Sequence, residues 1–270
     1  MLYRWKVRLL KRPRLNYWWR YWRGRQGETP GSYERLPELI RTHAPGRSFV
    51  DVGCMWGVNG EFAFVAEEAG ATRVKAVDVF GPTPEFEQKR DERRSRVEFI
   101  LGDITRAETL AAVGEADVVF CAGVLYHHPS PFDLLAALRR ICRETLILRT
   151  STIPEVRGLP NAAVYFPMLD AGARELWSLR SLGLLHQAGI STEFQPSQGY
   201  GNWFWGLTPS CLESLLQTAG FRVDFRATEA FAQTVVCAAV APPMEHWLPD
   251  QRSARRLAAE ISAAGIARPA

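Results

Sequence analysis

The sequence lacks the long apolar stretches that carry a chain into or across a membrane. It contains no run of about 18 consecutive apolar residues, so a membrane-spanning helix is not expected. The basic N-terminus is also not followed by an apolar stretch of about 7–15 residues, which a secretory signal requires. These absences predict a cytoplasmic protein with, at most, a peripheral attachment to membranes.

Cysteine is scarce and poorly placed for cross-linking or zinc binding. The chain has 5 cysteines, with no CxxC pair and no nearby histidine at zinc-ligand spacing. We therefore predict buried, reduced thiols, as is usual inside cells, rather than a disulfide framework or a structural zinc. No metal site is predicted, because no clustered set of Asp and His residues stands in the sequence.

Acidic residues are missing from the N-terminus. Residues 1–25 carry nine basic side chains and no acidic one, which leaves 24 basic against 29 acidic residues in the rest of the chain. Because that remainder is slightly acidic, a nucleic-acid-binding protein with a uniformly basic surface is disfavoured. A basic arm that contacts an anionic partner is not excluded.

The basic arm also carries tryptophans on one helical face. Leu15, Trp18, Trp19 and Trp22 follow the i, i+3, i+4, i+7 spacing of a helix. Such rings beside arginines suit an anionic membrane surface, and they also suit tRNA through phosphate contacts and base stacking. The third alternative is that the rings pack on the rest of the protein or on a second subunit. The role of the arm and the oligomeric state therefore stay open.

Beyond the arm, short β-rich runs alternate with helical segments. This alternation is typical of βαβ units and of a parallel sheet with helices on both faces. Thr208 is the expected N-cap of a late helix, Pro209–Ala219, and two closely spaced strands follow it, which predicts an antiparallel end to the sheet. The other predicted elements are strands Ser48–Val52, Val74–Val79, Arg96–Leu101, Asp117–Cys121 and Thr145–Leu148, helices Glu61–Ala69 and Pro131–Cys142, and the late strands Phe221–Arg226 and Thr234–Val240.

The segment from residue 151 to 207 is too long for a simple connection and is rich in aromatic residues. It follows a strand end, beside the crevice in which open α/β sheets bind ligands. We predict that it caps the substrate; the alternative is a structural insertion packed on the core. The expected division is an arm with a lead-in helix (1–44), a cofactor-binding half (45–150), the cap (151–207), a C-terminal part of the domain (208–245) and a helical tail (246–270).

Three acidic residues are predicted at the ends of successive strands. Asp51 precedes a loop with Gly53 and Gly57, where glycine allows a tight turn and close approach to a ligand. A carboxylate there is unfavourable beside a pyrophosphate and suits an amino-bearing ligand. Asp78 can accept hydrogen bonds from both hydroxyls of a ribose, and Asp103 can accept one from an adenine amino group. Together these residues predict a nucleoside site.

This pattern resembles the class I S-adenosylmethionine-dependent methyltransferases, over about residues 45–150 and again over 208–240. The resemblance implies an α/β, Rossmann-like seven-stranded sheet that is parallel except for a final antiparallel strand. It also implies S-adenosylmethionine as the cofactor, with its methionine part on the glycine loop. The chain departs from the family pattern at Met55, where glycine is usual. The cofactor contacts that the resemblance implies are Gly53, Gly57, Asp78, Asp103 and Ile104, and Asp51 joins this predicted set as the carboxylate that suits an amino group.

The fourth strand leads into a VLYHH block, residues 124–128, that resembles the tRNA wobble-uridine methyltransferases making 5-oxyacetate uridine. The best-known members use carboxy-S-adenosylmethionine, and Tyr126 matches the tyrosine that helps to hold its carboxylate. His128 and Pro129 stand where that group often has arginines. Ordinary S-adenosylmethionine is therefore the expected cofactor, and the carboxylated form is the alternative.

An alcohol acceptor would need a base for its proton, and a histidine titrating near neutrality is well suited. His127 and His128 follow strand 4, so one of them is the expected base, with Tyr126 beside them. His186 in the cap is a second candidate. The alternative is that His127 only packs against the loop and His128 only precedes a proline.

The predicted function is therefore methyl transfer from S-adenosylmethionine to a hydroxyl of a sugar, another glycan or another small molecule. Three alternatives remain. They are tRNA wobble-uridine (carboxy)methylation, an NAD-dependent oxidoreductase, and a non-catalytic scaffold attached through the arm.

Overall fold

The alternating pattern of the sequence folds into one central sheet with helices on both faces. The computed structural model describes residues 35–156, 158–174, 193–228 and 231–242. The helices are α1 (Leu36–His43), α2 (Glu61–Glu68), α3 (Pro84–Arg93), α4 (Ala107–Val113), α5 (Pro131–Ile141) and α6 (Pro209–Thr218). The strands are β1 (Ser48–Val52), β2 (Arg73–Asp78), β3 (Glu98–Leu101), β4 (Ala116–Ala122), β5 (Cys142–Ser151), β6 (Ala163–Tyr165), β7 (Trp205–Leu207), β8 (Phe221–Thr228) and β9 (Ala232–Ala239), and the 3₁₀ turns are Leu125–His127 and Pro196–Gly201.

The main sheet has seven strands in the order β3-β2-β1-β4-β5-β9-β8. The first five in this order are parallel, and β9 is antiparallel to both of its neighbours. The strand order therefore reverses between β1 and β4, where open α/β sheets bind ligands at the carboxyl ends of their strands. The predicted fold class and the antiparallel end of the sheet are confirmed.

Strand β4 shows how the sheet divides the core into two layers. Its side chains alternate, with Val118 and Phe120 facing α1, α2 and α3, and Val119 and Cys121 facing α5 and α6. Both faces are buried, as is usual for parallel strands between helices. Four cysteines are buried, as predicted, and Cys211 is half-buried. Among the described residues, no helix is long and apolar enough to cross a membrane.

The cap differs most from its sequence-based prediction, because its own small sheet was not predicted. Strands β6 and β7 pair antiparallel, and the N–H of Ile153 donates to the carbonyl of Leu207 at 2.9 Å, which ties the start of the cap to its end. Ile153, Phe166 and Trp203 form a small apolar cluster with Phe231. The segment 175–192, which contains His186, lies outside the described residues, as do the arm and the tail from 243 onward.

Helix α6 begins as its sequence predicts. The side chain of Thr208 accepts a hydrogen bond from the N–H of Cys211 at 3.3 Å, and Pro209 occupies the first turn. The Thr208 hydroxyl donates in turn to the carbonyl of Ala162 at 2.9 Å, so the same residue fastens the cap to the domain. Strand β5 is longer than predicted, because Cys142 pairs with Ala116 of β4 at one end and the polar residues 149–151 pair with β9 at the other.

Candidate active site

A cavity of about 530 Å³ opens at the carboxyl ends of strands β1 to β4. One part of its wall is formed by the turns after β1, β2 and β3. The other part is formed by the turn after β4, the end of β5 and the cap. The cavity thus lies at the position that the strand order favours, and its wall includes Gly53, Asp78, Asp103, Ile104, Tyr126, His127 and His128 from the sequence-predicted set.

The turn after β1 needs glycine at Gly53. This residue has φ = 82°, and a Cβ there would overlap the side chain of Val124. Its N–H donates to the carbonyl of Val77 at 2.9 Å, which joins the turn to β2. Gly57 also has a left-handed φ, 72°, but it lies in the turn and not in the cavity wall. The chain therefore approaches the cavity most closely at Gly53.

Met55, the departure from the family pattern, fits this turn without strain. Its side chain is buried in the core beside α2, and its φ is not in the left-handed region. Its N–H donates to Oδ2 of Asp78 at 2.7 Å. A glycine is therefore not required at this position, and the hydrogen bond from Met55 to Asp78 still joins the turn to β2.

Asp78 joins the first two turns of the wall. Its Oδ1 accepts a hydrogen bond from the N–H of Phe80 at 2.9 Å, while Oδ2 accepts the bond from Met55. Burial raises the pKa of this carboxyl, and the backbone hydrogen bonds from Phe80, Met55 and Val79 oppose that rise. Each carboxylate oxygen has a further lone pair, so both can still accept from a ligand in the cavity.

Asp51 lies beneath the turn and not in the cavity wall. It is 1% exposed, and within the described part of the chain its Oδ2 has no hydrogen-bond partner. Burial raises the pKa of Asp51 to about 8, with the negative charge of Asp78 adding to the rise. The sequence predicts an amino-bearing ligand near Asp51. In the structure, the carboxyl of Asp51 lies behind the cavity wall and not in it.

Asp103 is held by its own turn and by the cap. Its Oδ1 accepts from the N–H and the hydroxyl of Thr105, at 2.9 and 2.7 Å, and its Oδ2 accepts from the hydroxyl of Tyr200 at 2.7 Å. Burial raises the pKa of Asp103, but these hydrogen bonds outweigh it and leave the pKa below its ordinary value. The carboxylate is therefore ionised near neutral pH. Burial, followed by the bond to Asp103, raises the pKa of Tyr200 to about 12, so its hydroxyl remains a donor.

The turn after β4 brings aromatic rings into the cavity wall. Tyr126 stacks on Trp203 of the cap, with ring centroids 3.9 Å apart, and His127 meets the same tryptophan edge-on at 5.3 Å. Burial raises the pKa of Tyr126, so its phenol is neutral. Arg149, at the end of β5, also lies in the wall. This arrangement gives a flat ligand an aromatic surface beside a histidine.

His127 is oriented by a backbone carbonyl. Its Nδ1 lies 2.8 Å from the carbonyl oxygen of Asn202. A carbonyl oxygen only accepts, so Nδ1 carries the hydrogen and Nε2 keeps its lone pair. Burial lowers the pKa of His127, and the carbonyl opposes that shift. The ring is therefore neutral at pH 7 and has a nitrogen that can take a proton.

His128 has a different environment. Its Nδ1 lies 2.6 Å from the carbonyl oxygen of Ser130 and 3.1 Å from the Ser130 nitrogen, within the turn that starts α5. Its ring stacks on Tyr200, with centroids 5.8 Å apart. The ring lies in the wall, but its local contacts resemble those of a residue that shapes the turn.

The structure adds residues that the sequence reasoning did not single out. Arg149 lies near the end of a strand, as Asp51 and Asp78 do, so its place in the sequence could have identified it as a candidate site residue. Asn202 left no such signal, because its contact with His127 spans 75 residues. Among the described residues, no group of three or more His, Cys, Asp or Glu side chains is placed to hold a metal ion.

Part of the chain matches a known family model. Residues 50–148 match the model described as a methyltransferase domain, which covers most of β1 to β5 and the turns that form the wall. No curated protein matches the sequence.

Solved structures share the fold at low sequence identity. The N-terminal domain of EvdMO1, crystallised with SAH and D-fucose, is 18% identical, with a TM-score of 0.53 over 78% of this chain and 84% of that one. A 1,6-didemethyltoxoflavin-N1-methyltransferase from Burkholderia thailandensis, bound to 1,6-didemethyltoxoflavin and S-adenosylhomocysteine, is 18% identical, with a TM-score of 0.51 over 84% and 86%. An O-methyltransferase family protein from the same organism is 14% identical, with a TM-score of 0.51 over 77% and 56%.

Proposed function

From the premise that this chain is an S-adenosylmethionine-dependent methyltransferase, we propose that it methylates a hydroxyl group of a small molecule. S-adenosylmethionine, when bound, supplies a methyl group on a sulfonium that an acceptor oxygen can displace in line. The protein then needs to hold the two reactants in alignment, exclude water and accept one proton.

The turns after β1, β2 and β3 suit this cofactor. Gly53 lies in the cavity wall, where its backbone would face the methionine part, and its missing Cβ leaves room for Val124 to pack against the turn. Asp78 would accept hydrogen bonds from the ribose hydroxyls, and Asp103 with Ile104 would hold the adenine. Asp51, behind the wall, is mostly protonated at pH 7 because its pKa is raised to about 8, and the positive amino group of the methionine part would favour its ionised form. Carboxy-S-adenosylmethionine stays the alternative cofactor, because Arg149 lies in the wall near enough to Tyr126 for its positive charge to oppose the rise in the pKa of that phenol.

The observation that carries the proposal is the state of His127. The bond from Nδ1 to the Asn202 carbonyl leaves the Nε2 lone pair available, and burial keeps the ring neutral. A general base needs both properties at neutral pH. His127 would accept the hydroxyl proton as the oxygen attacks. His128 is the second candidate for this role, although its contacts with Ser130 and with the ring of Tyr200 are those of a residue that shapes the turn.

The acceptor is proposed to be small and to have one flat face. Tyr126 and Trp203 would contact that face, since both lie in the cavity wall and stack on each other. Two structural neighbours were crystallised with a small molecule, D-fucose in one and 1,6-didemethyltoxoflavin in the other, which supports an acceptor of this size. A base in the cavity wall suits a hydroxyl acceptor, because an alcohol must lose a proton as its oxygen is methylated.

The test is an acceptor screen that measures S-adenosylhomocysteine release. Deoxysugars, phenols, heteroaromatic N–H compounds and bulk tRNA are compared, with wild type and His127→Asn in parallel. We expect turnover with one hydroxyl class, a product heavier by a methyl group, and loss of turnover in the variant. Turnover with tRNA alone, or a carboxymethylated product, would replace the proposal with wobble-uridine modification. Binding of NADH in place of S-adenosylhomocysteine would contradict the premise.

A further inference from the structure

One turn of the cap is built around the side chain of Asn202. This residue is 2% exposed, and its Oδ1 accepts a hydrogen bond from the N–H of Gln195 at 2.8 Å. Its Nδ2 donates to the carbonyls of Gln195 and Gly199, at 2.7 and 2.9 Å. A single amide therefore closes the turn from residue 195 to 202, which we call the Asn202 turn. A buried polar group with its hydrogen-bonding capacity filled in this way fixes a backbone strongly.

The Asn202 turn contacts the cavity wall at two places. Its last carbonyl, that of Asn202, accepts the hydrogen bond from Nδ1 of His127 at 2.8 Å. Two residues earlier, the hydroxyl of Tyr200 donates to Oδ2 of Asp103 at 2.7 Å. The first contact is on the side proposed for the acceptor and the second is on the side proposed for adenine. Within the part of the chain that the structure describes, no hydrogen bond joins this carboxylate to this imidazole, so the turn is the element that they share.

We propose that Asn202 is a positioning residue that sets the tautomer of His127 and the orientation of Asp103 through one turn. The effect of this positioning on catalysis rests on the proposed function. The Asn202 carbonyl keeps the proton on Nδ1, and the side chain of the same residue keeps that carbonyl in place. Without the clamp, His127 loses its fixed tautomer and the fraction of rings with a basic Nε2 falls. Tyr200 loses its alignment with Asp103 at the same time.

The direct measurement is the protonation state of the imidazole nitrogens, by ¹⁵N NMR of histidine-labelled full-length protein above pH 7. His127→Asn serves only to assign the signals. In wild type we expect His127 to show a protonated Nδ1 and a bare Nε2. In Asn202→Ala we expect a mixture of tautomers, with kcat reduced about tenfold and KM for the acceptor changed less than threefold. The matched control is Gln198→Ala, an exposed residue of the same turn, and it should leave both readouts unchanged.

A second variant strains the turn without leaving buried groups unpaired, because Asn202→Ala can prevent folding. Gly199 has φ = 49° and ψ = −122°, a conformation that only glycine adopts readily, and a Cβ there would meet nothing within 4 Å. Gly199→Ala should therefore distort the turn from its exposed side and shift the His127 tautomer in the same direction. A His127 signature that stays wild-type in both folded variants overturns the proposal.

Tyr200→Phe separates the two contacts of the turn. It removes the hydroxyl that Asp103 accepts and keeps the ring on His128, so binding of S-adenosylhomocysteine should change severalfold while the His127 tautomer stays fixed. A shifted tautomer in this variant would contradict the assignment of that function to Asn202. The NMR readout needs no methyl acceptor. Failure of the proposed reaction would thus leave this inference standing. A wild-type tautomer in folded Asn202→Ala and Gly199→Ala would contradict this inference and leave the proposed reaction untouched.

Discussion

The two sides of the cavity, proposed above to hold the cofactor and the acceptor, are built by different means. On the first side, Asp78 and Asp103 each follow a strand of the sheet, and hydrogen bonds from nearby turns hold them. On the second side, His127 depends on a carbonyl 75 residues away, and Trp203 comes from the cap. The comparison teaches that the turns at the carboxyl ends of parallel strands can place acidic side chains in a cavity wall, whereas the histidine of the opposite side is oriented by an added segment.

The largest expected effect is on the acceptor side, at His127. His127→Asn keeps a donor for the Asn202 carbonyl and removes the nitrogen that takes a proton, so kcat should fall about 100- to 1,000-fold. The affinity for S-adenosylhomocysteine should stay within twofold. In wild type, kcat/KM should fall as pH drops through the His127 pKa, which burial places below 6.5, because the protonated ring cannot accept a proton. The variant should lack that acid limb.

Steady-state kinetics from pH 5 to 9, with calorimetry for the ligand, check this prediction. His43→Asn, on α1 and away from the cavity, is the matched control and should behave as wild type. If S-adenosylhomocysteine affinity falls together with kcat, the two sides are not separable and the comparison fails.

The next effect is on the cofactor side, at Asp78. Asp78→Ala removes the acceptor for the ribose hydroxyls and releases the N–H groups of Met55 and Phe80. Calorimetry should show S-adenosylhomocysteine binding weakened about 100-fold, or about 2.7 kcal/mol. Asp91→Ala, on the exposed surface of α3, should bind normally. A dissociation constant within threefold of wild type in a folded Asp78 variant would mean that the strand ends do not form the nucleoside site.

The next effect is on the free energy of unfolding and concerns Asp51, the buried carboxyl behind the cavity wall. Its pKa is raised from 3.8 to about 8 by burial first and by Asp78 second. Between these values the folded state holds a proton that the unfolded state has lost, so the free energy of unfolding should decrease as pH rises from about 4 to about 8. Each pH unit corresponds to at most about 1.4 kcal/mol.

Asp51→Asn removes this dependence. Urea unfolding at about pH 5 and about pH 6.5 should show wild type losing about 2 kcal/mol more than the variant over that interval. Asp91→Asn provides the matched surface control. Equal losses in wild type and Asp51→Asn would show that the buried carboxyl is ionised throughout the interval.

The smallest effect concerns the attachment of the cap. Thr208→Ala removes the N-cap of α6 and the hydroxyl bond to Ala162, and it should lower the free energy of unfolding by about 1 kcal/mol. Thr208→Ser keeps the hydroxyl and should recover most of the loss. Denaturant titration measures both variants. A kcat that falls with Thr208→Ala but not with Thr208→Ser would show that cap attachment also positions the acceptor side.

Much of the fold was predictable because its signals are local. The runs ending at Val52, Asp78 and Leu101 are short, β-rich and separated by helices, so their pairing and parallel direction followed from general rules. The positions of Asp78 and Asp103 at the ends of successive strands were predictable for the same reason. The strands β6 and β7 were not, because each has only three residues and pairs with a partner some forty positions away.

The sequence by itself determined the strands of the sheet, the sharp turn at Gly53, the acidic residues at the strand ends and the helix N-cap at Thr208. The individual strands, the glycine turn and the N-cap can be predicted from residues within about ten positions of one another, where backbone preferences act directly, and general rules of strand connection then place the strands side by side. Only the tertiary structure decided that Asp51 lies behind the wall, that Tyr200 bonds Asp103, and that Asn202 fixes the tautomer of His127. These depend on burial and on contacts between distant segments, and a linear pattern does not encode which distant groups meet.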